Sequence, residues 1–104
     1  MRQNEQMIRH SVVFTLVHDA DSDAEREFLA AAREALTSIP GVQDFTILRQ
    51  VSPKSDHRFL FEMTFADDAA YQAYNEHQTH VDFVATRWVP EVSDFQELDY
   101  VALA

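Results

Sequence analysis

A tyrosine and three histidines carry the residue types for proton transfer at a spacing one fold could bring together. Tyr74, His77 and His80 recur every third residue in Tyr74-Asn75-Glu76-His77-Gln78-Thr79-His80, and His10 lies in an apolar run near the start of the chain. An imidazole is a base near neutral pH, and a phenol can donate a hydrogen bond to a carbonyl oxygen that gains negative charge during enolisation. With His10, Tyr74 and His80 as the reacting groups, the pattern suits carbon-acid chemistry. Each residue also has a plainer explanation. A histidine on an apolar strand face is commonly a hydrogen-bonded core residue, a helical tyrosine is commonly a packed aromatic, and His77 would sit favourably at the negative end of a helix. His18 and His57 carry still less signal.

Metal binding is the rival chemistry, since His77 and His80 are three apart and His10 could be a third ligand. No Asp or Glu is predictably placed to complete such a set, so it ranks below proton transfer, and no metal is expected. The chain has no Cys, which removes a thiolate nucleophile, a cysteine metal site and a disulfide framework. Its single glycine, Gly41, follows a helical segment instead of opening one, against a phosphate-binding loop. No cofactor is expected.

The elements that must position these groups follow from periodicity. From Met7 to Val17 the sequence alternates, with Ile8, His10, Val12, Phe14 and Leu16 on one face and Arg9, Ser11, Val13, Thr15 and Val17 on the other, which predicts a strand. Ser22 and Glu25 have capping-box spacing. Phe28, Leu29, Ala32, Leu36 and Ile39 then recur at helical period as far as Pro40-Gly41. Val42 to Val51 reads as a second strand, joined through a polar connection to a third in which Phe59, Phe61, Met63 and Phe65 share a buried face. Asp67 or Asp68 caps a second helix through Ala70, Tyr71, Ala73, Tyr74 and His77, with a break expected between His77 and His80 and a looser helical pattern on to Pro90. Asp94 to Leu103 suits an edge strand or a strand at a subunit boundary.

The order β-α-β-β-α-β predicts an α+β, ferredoxin-like fold with both helices on one face of an antiparallel sheet. A polar tail over residues 1–6 precedes one domain over 7–104. The other face of the sheet is expected to carry Val13, Val17, Phe45, Ile47, Val51 and Leu60, too apolar for water. Two-fold pairing of two such sheets as a homodimer would bury it. The 104 residues hold 46% hydrophobic side chains, including eight Phe, enough for one core. A net charge of −10, from 18 acidic and 8 basic residues, argues against nucleic acid and anionic membrane surfaces as partners. The Asp19-Ala20-Asp21-Ser22-Asp23 group reads as a solvated helix start. With a polar opening and no long apolar stretch, a cytoplasmic location is expected.

Three segments in order resemble the stress-responsive A/B barrel family: Ile8-Arg9-His10-Ser11-Val12-Val13-Phe14, Phe61-Glu62-Met63-Thr64-Phe65, and Tyr74-x-x-His77-x-x-His80-Val81-x-Phe83. The resemblance covers about Met7 to Leu103. It implies a ferredoxin-like homodimer whose sheets form a dimeric α/β barrel, and a role in stress response. It also implies kinship with a plant polyketide cyclase whose pocket, between sheet and helices, uses a Tyr and a His matching Tyr74 and His80, with a strand-one His matching His10. Carried onto this chain, the pocket would be walled by Val12, Phe14, Phe59, Phe61, His77 and Phe83 and would accept a small apolar carbonyl ligand. Two departures stand out. Phe59 replaces a pocket histidine of the cyclase, which makes the pocket more apolar, and His77-Gln78-Thr79-His80 lacks the family's proline, which bears on the break that aims His80. The activity implied is a cofactor-independent cyclase or isomerase of a β-carbonyl or aromatic compound. A non-enzymatic, ligand-binding homodimer is the alternative, and cofactor-free oxygenation is a third.

Overall fold

The computed structural model describes residues 6–103, so the first five residues of the expected tail, and Ala104, lie outside it. Four strands, β1 (Ile8–Leu16), β2 (Gln43–Arg49), β3 (Phe59–Phe65) and β4 (Val92–Tyr100), form one antiparallel sheet in the order β2-β3-β1-β4. One helix, α1 (Asp23–Thr37), joins β1 to β2. A segmented helical arm joins β3 to β4: α2 (Asp68–Glu76), α3 (Gln78–Phe83), a π-helical turn over Val84–Trp88, and a last turn, α4 (Val89–Glu91). The fold is the expected ferredoxin-like arrangement.

The alternation of β1 settles which side is the core. Val12 and Phe14 stand opposite Phe61 and Phe59 of β3, and their side chains are buried under the helices with Phe28, Ala32 and Leu36 of α1. Ser22 caps α1 by accepting a hydrogen bond from the Glu25 amide at 3.2 Å. Glu25 does not return it to Ser22, as a full capping box would. It accepts from the Asp21 amide at 3.0 Å. After α1 the chain turns at Gly41, whose φ of +93° an L side chain rarely adopts.

Strand β2 departs from the expected pattern. The expectation put Phe45 and Ile47 on the open face of the sheet, but Ile47 is paired with Phe61 and both residues pack against the core. The cause is a bulge between Gln43 and Thr46, with Asp44 at a φ of 53°. The extra residue shifts the parity of the strand, so Val42, Phe45 and Ile47 all turn towards the helices. Val51 lies beyond the strand and is almost fully exposed. The open face is built instead from Val13, Leu48, Leu60, Leu98 and Tyr100. Of these, Leu48, Leu98 and Tyr100 are exposed in the single chain.

No helix among the described residues is long and apolar enough to cross a membrane. Phe14 is fully buried, with the rings of Phe28, Phe59, Phe61 and Trp88 centred between 4.6 and 6.2 Å from its own. Phe14→Ala is therefore expected to lower the free energy of unfolding by about 3–5 kcal/mol, read from urea denaturation. A loss below about 1 kcal/mol would contradict this account of the core.

Candidate functional site

The site begins with a helix that cannot continue. Asp67 caps α2, accepting from the Ala70 amide at 2.8 Å, and the helix runs to Glu76. His77 then takes an extended ψ of 137°, ending α2 and starting α3. In an uninterrupted helix the Thr79 amide would donate to the Asn75 carbonyl. Here the two groups find side-chain partners: the Thr79 amide donates to His77 Nδ1 at 3.1 Å, and the Asn75 carbonyl accepts from His80 Nδ1 at 3.1 Å. Two histidines therefore satisfy the backbone at the break. The break matters for geometry, because residues 74 and 80 would sit about 120° apart around a continuous helix. Across it their rings are 4.5 Å apart.

The Asn75 carbonyl can only accept, so His80 carries its hydrogen on Nδ1 and Nε2 is left with a lone pair. Burial disfavours the charged ring and pulls the His80 pKa below its ordinary value, against the smaller raising effect of the carbonyl; a charge on His10 would lower it further. Tyr74 is buried, and its hydroxyl makes no hydrogen bond to another described residue. Desolvation first, and then the charge of Glu97, push its pKa upwards, so the hydroxyl keeps its hydrogen and acts as a donor.

His10 is held from a different side. On β1 it stands opposite Asp99 of β4, and its Nδ1 donates to Asp99 Oδ1 at 2.6 Å. The Tyr71 hydroxyl donates to Asp99 Oδ2 at 2.9 Å and lies 2.9 Å from His10 Nδ1. Burial, reinforced by the Asp99 carboxylate, drives the Tyr71 phenol far above its ordinary pKa. The carboxylate thus fixes the hydrogen of His10 on Nδ1 and leaves Nε2 as the free ring nitrogen.

These groups share a cavity of about 220 Å³ between the sheet, α1 and the broken arm. His10, Tyr74, Asn75, His80 and Glu97 are its polar lining residues, and Val12, Phe61, Met63, Phe83, Trp88 and Phe95 form most of its apolar wall. Trp88 and Val84 come from the π-helical turn, a form often found beside functional sites. The end of the arm is tied down by Arg87, which pairs with Glu91 and with Glu27 of α1.

Of the residues singled out in the sequence, His10, Tyr74, His80, Val12, Phe61 and Phe83 line this cavity. Phe14, Phe59 and His77 do not. Phe14 is enclosed by the core, Phe59 packs beneath the guanidinium groups of Arg49 and Arg58, and the ring of His77 is spent on capping α3. The cavity is not more apolar on account of Phe59. Among the described residues, no group of three or more His, Asp or Glu side chains is placed to hold a metal ion. Sequence reasoning missed Tyr71, Glu97 and Asp99. Tyr71 lies three residues before Tyr74, on the same helix face, and Glu97 and Asp99 share the parity of Phe95 on β4.

Comparison with known proteins agrees with the fold. The family described as the stress responsive A/B barrel domain matches residues 8–102. A crystal structure of a family member with a ferredoxin-like fold from Mesorhizobium loti is 56% identical, covering 95% of this chain and 99% of that one, with a TM-score of 0.94. An Arabidopsis thaliana protein is 22% identical over 93% of this chain and 96% of its own, with a TM-score of 0.79. A hydroxynitrile lyase from Passiflora edulis is 15% identical over 95% of each chain, with a TM-score of 0.82. Likeness at these last two identities shows the fold alone. No functionally curated protein sequence matches the chain.

The depressed pKa of His80 gives stability a pH dependence of definite sign. As pH falls through the ordinary histidine value of 6.5, the unfolded chain takes up a proton that the folded chain still refuses. Acidification therefore favours unfolding. Between about pH 7.5 and about pH 5.5, the wild type is expected to lose more stability than His80→Gln, measured as the difference in urea midpoint; a wild type that gains on the variant would show the opposite shift.

Proposed function

Because the chain belongs to the stress responsive A/B barrel domain family, we propose that it is a homodimeric small-molecule protein whose cavity performs cofactor-independent proton transfer on a β-carbonyl or aromatic carbonyl compound, as a cyclase or isomerase. The observation that carries this reading is the pairing of His80, whose Nδ1 is engaged by the Asn75 carbonyl and whose Nε2 has no hydrogen bond to another described residue, and a Tyr74 hydroxyl likewise without one, on one small, largely apolar cavity.

In this reading His80 Nε2 takes the proton from the carbon next to the substrate carbonyl. The C–H electron pair becomes the enolate, and its oxygen accepts a hydrogen bond from Tyr74. The apolar wall keeps that oxygen from water and strengthens the bond. An isomerase then returns the proton from His80 to a different carbon. In a cyclase the enolate carbon attacks a second carbonyl of the same molecule, and the proton goes to the new alkoxide. His10, held by Asp99 and Tyr71, is a third polar group at the substrate. Such proton transfers need no redox cofactor.

The dimer completes the domain. Val13, Leu48, Leu60, Leu98 and Tyr100 form an apolar surface on the sheet face that no helix covers, and a second copy placed by a two-fold axis buries it with the same residues. The relatives include proteins described as dimeric with this fold. Sedimentation at micromolar concentration is expected to show a dimer, and Leu60→Asp to shift it to monomer; a wild-type monomer would contradict the pairing.

Tyr74→Phe removes one hydroxyl and little volume, so folding is expected to survive nearly unchanged. Turnover of an enolisable carbonyl compound is expected to fall by about 10²–10³-fold, the cost of losing one donor to a developing oxyanion. Full activity in a folded Tyr74→Phe protein would remove Tyr74 from the chemistry.

A further inference from the structure

Resting on the carbon-acid reading of the same cavity, we infer that Glu97 sets the charge class of the ligand: the site takes uncharged carbonyl compounds that present an enol or phenol hydroxyl, and it turns away carboxylates. On β4 the residues Phe95, Glu97 and Asp99 point to the helix side of the sheet, opposite Phe14, Val12 and His10 of β1. The two carboxylates have different employment. Asp99 is committed to His10 and Tyr71. Glu97 lines the cavity and forms no hydrogen bond or ion pair with another described residue.

A charge on an edge strand is often only a guard against strand pairing. Glu97 is itself exposed in the single chain, but unlike a residue on the solvent face of β4 it lines the cavity, beside buried Val12. No Lys or Arg is among the described residues lining the cavity. Its charge is felt on the opposite wall, where it adds to the upward shift of the Tyr74 phenol. A ligand hydroxyl would find an acceptor in Glu97 while its carbonyl faces Tyr74. A ligand carboxylate would meet a like charge instead, with His80 held neutral and unable to compensate.

Acetylacetone and acetoacetate test this, because they have the same number of non-hydrogen atoms and differ in a methyl ketone against a carboxylate. Affinities are measured by calorimetry near neutral pH on the wild type and on Glu97→Gln, a variant that keeps the shape of the side chain and whose folding is checked by thermal melting. The wild type is expected to prefer acetylacetone by about tenfold, the size of one repulsion partly screened by solvent at a cavity mouth, and Glu97→Gln to bring the two probes within about twofold. Equal binding of both probes by the wild type, or a preference unchanged in the variant, would overturn the role of Glu97 while leaving the cavity as a carbonyl site. If neither probe binds either protein, the carbonyl reading of the cavity fails, and the inference fails with it.

Discussion

The register of β1 against its two neighbours is the constraint on which the site depends. β1 lies inside the sheet, so its residues from Arg9 to Phe14 have a partner on both sides: His10 faces Met63 and Asp99, Val12 faces Phe61 and Glu97, and Phe14 faces Phe59 and Phe95. On the β3 side every inward partner is apolar and buried, which pins the register through the core. On the β4 side the inward partners alternate into two carboxylates. A slip of one residue would carry Phe14 into water and separate Asp99 from His10. The same burial that stabilises the sheet therefore fixes the orientation of His10.

The broken arm supplies the other half of the site by a related economy. A helix end leaves amides and carbonyls without partners, and here the groups at the break are answered by the rings of His77 and His80. His80 thereby acquires a fixed tautomer and a position against Tyr74 from a bond whose first role is to satisfy the backbone. His77 acts at one remove: as the joint it places His80, and it does not itself reach the cavity.

Much of this was legible in the sequence because each cue has a local physical cause. The alternation of β1 and β3, the caps at Ser22 and Asp67, and the weakening of helical period after His77 each depend on neighbours a few residues away, and each marks a real element or break. What was missed depends on long-range pairing or on an irregularity. The facing of Phe45 and Ile47 turns on one bulged residue that leaves no mark in a period-two pattern. Asp99 and Glu97 become meaningful only once β4 is laid against β1, since their run, Asp94 to Leu103, looks in isolation like a solvated edge. Phe14 and Phe59 share the parity of true cavity residues but pair with each other nearer one end of the sheet, Phe14 after Val12 and Phe59 before Phe61, where α1 and Trp88 close over it.

The proposed chemistry requires the cavity to move a proton at carbon. The most direct measurement is the uptake of deuterium from heavy water into the methyl group of 4-hydroxyacetophenone, a slow carbon acid with a phenol hydroxyl, followed by proton NMR with the protein present. The account predicts exchange well above the buffer rate, lost in His80→Gln and retained in a folded Phe59→Leu variant, whose substitution lies outside the cavity. Exchange no faster than in buffer, or exchange unaffected by His80→Gln, would contradict it.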